Sequence, residues 1–290
     1  MQITAEKVLL APAYFMYMRS LYRDRLPMAL SRGLLNVATR QPVADDPASW
    51  EFSVFSQNGE DGVISELLDR IQSPTRFFVE IGASDGLENN SSYLAYAKKY
   101  NGVMVEGDSL RSRTAQRFLQ HLNIGVQYMS LFVEPDNVAE ILSRCDTDTP
   151  DLLSLDIDGI DFHIAEALFA AGLRPSVVCV EYNSAFGPEA AVTIPHQRSF
   201  SCQKAAPSGL YYGASITGWK RFHARYGYEF VAVESNGVNA FFIDPRRVDL
   251  DVAKLRRREF VDNISHRKRY PGDWVTHQRM IRQLPTLEIS

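Results

Sequence analysis

The chain has 290 residues, 45% of them hydrophobic, enough for a substantial core in one large α/β domain with additions or in two small domains. A charged fraction of 23% and a net charge of −4 exclude the strongly basic balance of a general nucleic-acid binder. Three widely spaced cysteines, Cys145, Cys179 and Cys202, form no Cys-x-x-Cys; they offer neither a disulfide framework nor a zinc knuckle and read as reduced thiols in a cytoplasmic setting.

Residues 1–38 look helical and appended to the body of the protein. Their apolar stretch from Val8 to Met18 is interrupted by Pro12 and is too short to span a bilayer. The cluster Tyr14, Phe15, Met16, Tyr17 and Met18 is too apolar to leave in water, which predicts a helix docked on the protein's own body or on a second copy of the chain, the latter a homo-oligomer. The alternative is a peripheral membrane contact by an interfacial helix, with Arg19, Arg23 and Arg25 following the apolar face. Residues 39–53 hold Pro42, Pro47 and Asp45-Asp46 and read as a linker. The expected organisation is an N-terminal helical extension and linker (1–50), a main domain (51–245) and a charged tail (246–290).

Within the main domain, Val63, Ile64, Leu67, Leu68 and Ile71 fall on one face of a helix starting near Asn58. Strands and helices then alternate. Strands are predicted at 77–81, 103–106, around 125–132, at 152–157 and at 176–181; helices at about 91–100, 109–122, 136–143 and 161–171. Residues 184–210 show little periodicity, and a loop of that length inside a compact domain is usually a lid or a binding loop. Its Phe186 and Phe200, with Tyr211 and Tyr212 just beyond, suit a sugar or polyol ring and suit equally the pinning of the loop to its own core. A helix is expected near 214–226. Strands at 230–233 and 240–243 flank Ser235-Asn236-Gly237, a strong hairpin signal. In the tail, Lys254–Arg258 and His266–Arg269 read as solvated helix faces.

The most informative segment is Phe77-Phe78-Val79-Glu80-Ile81-Gly82-Ala83-Ser84-Asp85-Gly86. An apolar strand ends in an acid and a glycine-bearing turn, which is how a parallel sheet presents a nucleotide-like ligand at its carboxyl edge. The spacing Glu-x-Gly-x-x-x-Gly is not the Gly-x-Gly-x-x-Gly of dinucleotide enzymes. A second acid, Glu106, closes the next strand. Asp156, Asp158 and Asp161 crowd the end of the fourth strand, which is costly unless a positive group joins them. An EF-hand reading fails because position 167, where the bidentate acid belongs, is Ala. Adjacent strand ends lie about 5 Å apart, so Asp156, Glu181 and Asn183 could converge on one hard divalent cation such as Mg²⁺. In the competing reading the aspartates cap the next helix, and Glu181 and Asn183 bind an acceptor by hydrogen bonds.

Parallel alternation that closes with an antiparallel hairpin, together with Ser56–Gly62, Val79–Gly86, Ser154–Asp161, Val180–Asn183 and Gly237–Phe242, resembles the FkbM-like family of class I S-adenosylmethionine (SAM)-dependent methyltransferases over residues 54–245. Ser84 departs from that pattern, standing where its turn usually has a central glycine. The resemblance implies an α/β fold: a Rossmann-like, seven-stranded, mostly parallel sheet with helices on both faces and a terminal antiparallel hairpin. It implies O-methylation of a small-molecule or glycan acceptor. It implies SAM held by the Gly82–Gly86 turn, with Ser84 inside it, by Glu106 on the ribose, and by Glu80 and Asp85 at the amino-acid end. Methyl transfer also requires loss of the acceptor's proton, to a metal-activated site or to a side chain, for which Asp156, Asp158, His163 and His196 are the candidates. A NAD-type oxidoreductase and a non-catalytic binding or assembly protein are the rival readings.

Overall fold

A computed structural model describes residues 5–290; of the first 22 side chains it describes only residues 16, 19 and 20. In chain order the elements are α1 (Ala5–Thr39), a 3₁₀ turn (Pro47–Trp50), α2 (Glu60–Leu68), β1 (Phe77–Ile81), a single π-helical turn (Tyr93–Ala97), β2 (Asn101–Glu106), α3 (Ser109–Leu119), β3 (Val126–Ser130), α4 (Val138–Leu142), β4 (Leu152–Leu155), α5 (Asp161–Ala170), β5 (Val177–Glu181), β6 (Val192–Thr193), α6 (Cys202–Ala205), α7 (Ile216–Arg225), β7 (Glu229–Val233), β8 (Asn239–Ile243), α8 (Ile264–Arg269), α9 (Trp274–Ile281) and β9 (Leu287–Glu288).

Seven strands form one sheet in the order β3-β2-β1-β4-β5-β8-β7. The first five pair in parallel, and β8 inserts antiparallel between β5 and β7. This is the Rossmann-like sheet with a closing antiparallel hairpin. Strands β1, β4, β5 and β8 are buried along their whole length, as expected where helices cover both faces. Alternate residues serve two cores. Phe77, Val79 and Ile81 pack on one side with Phe162, Leu168 and Phe222 of α5 and α7; Phe78 packs on the other with Trp50, Leu67 and Leu119.

Two peripheral segments differ from the sequence expectation. The stretch expected as a linker carries Trp50 at 0% exposure, and its indole donates to the carbonyl of Val43. Beyond residue 245 the chain folds back over the domain: Val248, Ile281 and Ile289 are buried, and β9 pairs with β6. The basic run 266–269 is therefore not a uniformly solvated face, since His266 is buried.

Helix α1 docks through Leu26, Ala29 and Gly33, while Met28, Leu34 and Leu35 stay exposed. Of the Tyr14–Met18 cluster, Met16 is exposed and the other side chains lie outside the described residues. No described helix is long and apolar enough to cross a membrane.

Candidate functional site

Strand order reverses at β1, whose neighbours are β2 on one side and β4 on the other. Crossovers leave this switch point in opposite directions, opening a crevice at the carboxyl ends of the strands. A cavity of about 790 Å³ lies there, walled by Glu80 of β1 and Gly82 just after it, Glu106 at the end of β2, Asp156 and Asp158 after β4, and Glu181 of β5.

The β1–β2 side is built from turns. The Glu106 carboxylate accepts the backbone N–H groups of Ser84 and Asp108, each at 2.8 Å. It thereby holds the β1 turn, in which Ser84 takes a left-handed φ of 51°, a conformation a non-glycine residue adopts at some cost. Gly82, at φ 94°, is required for a second reason: a Cβ there would run into the carbonyl oxygen of Asp156. The first turn thus packs directly on the end of β4. Glu80 is buried beneath it. Its Oε1 accepts the Ser154 hydroxyl at 3.2 Å and Oε2 has no hydrogen-bond partner. Burial pushes this carboxyl up to about 8.

Asp85 and Gly86 do not line the cavity. Asp85 turns away, accepting the N–H groups of Leu87 and Glu88 and pairing with Arg25 of α1 at 2.6 Å. Gly86 provides a close approach to α3, where a Cβ would crowd Ala115 and Leu119.

The β4–β5 side is a cluster of acids. Ligand-capable oxygens of Asp156, Asp158 and Glu181 lie within 4.8 Å of one another. Burial, then the charges of Asp158 and Asp161, raise the Asp156 carboxyl well above the usual range; burial, then Asp156, does the same to Glu181. Asp158 is held at φ 52°, another left-handed non-glycine residue on the cavity wall. Asp161 braces the loop by accepting the N–H groups of Ile157 and Gly159.

Three sequence-based assignments are corrected here. Asn183 is fully buried, donates to the carbonyls of Leu210 and Tyr212 and accepts from Ala185, so its amide ties the long loop to β5, and Asp158 takes its place in the acid cluster. His163 and His196 sit in a separate surface pocket; His163 bonds the carbonyl of Ile194, and His196 bonds Glu134 at 3.1 Å. Neither reaches the wall formed by Asp156 and Glu181. The loop 184–210 divides its work: Phe200 and Leu210 line the cavity, while Phe186 is buried in the core.

Three further residues, Tyr212, His266 and Arg269, complete this wall, the last two from a stretch the sequence reading placed outside the site. Tyr212, at the end of the loop, donates its hydroxyl to Glu181 Oε1 at 3.0 Å, and His266 Nε2 lies 2.9 Å from the same hydroxyl. Arg269 also lines this wall, its charge opposing the upward shift of Asp158. Only folding of the chain beyond residue 245 brings His266 and Arg269 there, and no local motif announces it.

No protein-family model matches the chain, and no curated protein does. Solved structures resemble it at low identity. A SAM-dependent methyltransferase from Geobacter sulfurreducens in complex with S-adenosyl-L-homocysteine is 11% identical over 68% of this chain and 71% of that one, with a TM-score of 0.38. The O-methyltransferase from Bacillus cereus, also with S-adenosyl-L-homocysteine, is 14% identical over 76% and 89%, with a TM-score of 0.41. The O-methyltransferase TomG from Streptomyces achromogenes, involved in tomaymycin synthesis and in complex with SAM, is 14% identical over 73% and 93%, with a TM-score of 0.40.

Proposed function

We propose that the chain is a SAM-dependent O-methyltransferase acting on a hydroxyl of a polar, carbohydrate-like or secondary-metabolite acceptor, assisted by a divalent cation. The observation that carries this reading is a cavity that spans the switch point, with a turn-holding carboxylate on one side and a three-acid cluster on the other. The FkbM-like assignment is the finer part of the same proposal and rests on the sequence motifs.

The residues present fit both groups. Glu106 would accept ribose hydroxyls, and Gly82 and Ser84 line the adjoining wall. Glu80 keeps a buried, unpartnered oxygen that suits a ligand ammonium. On the other side, an all-oxygen donor set with an unpartnered Glu181 Oε2 suits a hard cation. When bound, SAM supplies an electrophilic methyl group, and a divalent cation acidifies and orients an acceptor hydroxyl. The chain's own part is to hold the acceptor over the β4–β5 edge and exclude water with loop residues such as Phe200 and Leu210. Asp156 and Asp158 are the side chains proposed to receive the acceptor's proton.

Calorimetry with SAM and S-adenosylhomocysteine tests the reading. Both should bind, and Glu106→Ala should weaken binding tenfold or more, since losing a charged hydrogen-bonding group costs about 1.5–3 kcal/mol. Unchanged affinity in that variant would move the ribose site elsewhere. Binding of NADH in place of SAM would favour the dehydrogenase reading.

A further inference from the structure

The unclaimed feature of the cavity wall is the buried chain Glu181–Tyr212–His266–Ser184. Tyr212 Oη lies 3.0 Å from Glu181 Oε1 and 2.9 Å from His266 Nε2, and His266 Nδ1 lies 3.3 Å from Ser184 Oγ. Ser184 Oγ in turn accepts the backbone N–H of Asn263 at 3.0 Å. All four side chains are buried, so each hydrogen counts.

With Glu181 as a carboxylate, which cation binding requires, one arrangement of protons satisfies every contact. The single Tyr212 hydroxyl hydrogen goes to Glu181 Oε1. Tyr212 Oη can then only accept, so His266 must donate from Nε2. A neutral imidazole leaves Nδ1 bare, to accept the Ser184 hydroxyl hydrogen, while Ser184 Oγ is free to accept from Asn263. Burial holds the His266 imidazole in its neutral form, pushing it down to about 3. The outcome at the cavity is that Glu181 Oε1 is occupied and Oε2 is left uncommitted.

We infer that His266, contributed by the chain beyond the sheet, is a positioning residue that acts through Tyr212 to fix the Glu181 carboxylate, so that Oε2 remains free for a divalent cation shared with Asp156 and Asp158. The inference rests on the cation reading proposed above. Ligand-orienting partners of this kind commonly change metal affinity by about 10–100-fold when removed. The arrangement also explains why a histidine inside a basic run is buried: its ring is a required member of the site rather than a solvated charge.

The test uses the full chain and Mn²⁺ as the probe. Titration calorimetry should show one Mn²⁺ site in the wild type, about tenfold weaker in His266→Leu and in Tyr212→Phe. His266→Gln, which keeps a side-chain N–H donor, should recover much of the loss. Affinity for S-adenosylhomocysteine should be equal in all four proteins, which also reports that they are folded. Imidazole ¹⁵N spectra of the wild type saturated with diamagnetic Mg²⁺, which holds Glu181 as a carboxylate, should show His266 protonated at Nε2. Equal Mn²⁺ affinity in the wild type and both donor-deleting variants, or a proton at Nδ1, would overturn the inference while leaving the cation reading in place. Failure of the wild type to bind Mn²⁺ would remove the cation reading and the inference with it.

Discussion

Glu106 and Glu181 both close strands at the same cavity, yet they are held by different means. Glu106 is fixed by backbone N–H groups of Asp108, two residues away, and Ser84 in the neighbouring turn. Glu181 takes a hydroxyl from Tyr212, 31 positions on, which is held by His266, a further 54 positions along the chain. The first carboxylate organises its own loops and has fixed dipoles to stabilise its charge. The second lies beside Asp156 and Asp158; burial raises all three carboxyls, the like charges of neighbouring acids add to the shift at Asp156 and Glu181, and Arg269 opposes it at Asp158. The Glu106 carboxylate is therefore held by donors on both of its oxygens, whereas Glu181 keeps one oxygen without a hydrogen-bond partner.

The sharpest way to break this comparison is Asp156→Asn. Removing a ligand charge should weaken Mn²⁺ binding on the order of a hundredfold, more than loss of an orienting partner does. The same substitution relieves like-charge crowding, so without added cation its melting temperature should rise above that of the wild type at pH 8. Glu106→Ala should do the reverse, lowering the melting temperature because two backbone donors lose their acceptor. Matching signs for the two variants would erase the distinction between the edges.

Glu80 lies between the edges and sharpens the picture through pH. Its folded value of about 8 stands above an ordinary value of 4.5. Between those pH values the folded state holds the extra proton, so stability falls as pH rises through the window, by about 1.4 kcal/mol per pH unit from this group. Glu80→Gln should flatten the ligand-free stability profile between pH 5 and 8 by about that slope in denaturant titrations. An unaltered profile would show that Glu80 is already charged in the fold.

The smallest expected effect concerns α1. Arg25 bridges Asp85 and Glu88 at 2.6 Å each, tying the appended helix to the turn beside the cavity. Arg25→Ala should cost less than about 1 kcal/mol of stability, as for other solvent-accessible pairs. Its effect on S-adenosylhomocysteine affinity should stay within a few-fold; a larger loss would make α1 part of the binding site.

What could be read from the sequence follows the same division. The strands were legible because buried parallel strands are short apolar runs bounded by turn residues: Phe77–Ile81 is the same in both readings, and the hairpin around Asn236-Gly237 closes as its turn signal requires. The positions of Gly82 and Glu106 at the ends of β1 and β2 were legible because they close the short apolar runs that form those strands. Asp85 and Gly86 share that motif but face α1 and α3, since a turn exposes only some of its residues to the crevice. Asn183 looked like a ligand by strand-end position, yet its amide is consumed by carbonyls of the long loop. The long loop itself was expected; that Tyr212 at its end would meet His266 depends on packing across tens of residues, which no periodicity encodes.

The insertion of β8 between β5 and β7 also bears on biosynthesis. Strands β1 to β5 can pair in parallel as they leave the ribosome, but β5 then waits with one edge bare until residues 239–243 emerge. Its sequence Val-Val-Cys-Val-Glu is apolar almost throughout, the kind of segment that recruits other strands when unpaired. Nascent chains stalled before residue 239 should therefore be those most dependent on chaperones, and a few further residues of synthesis would relieve that dependence.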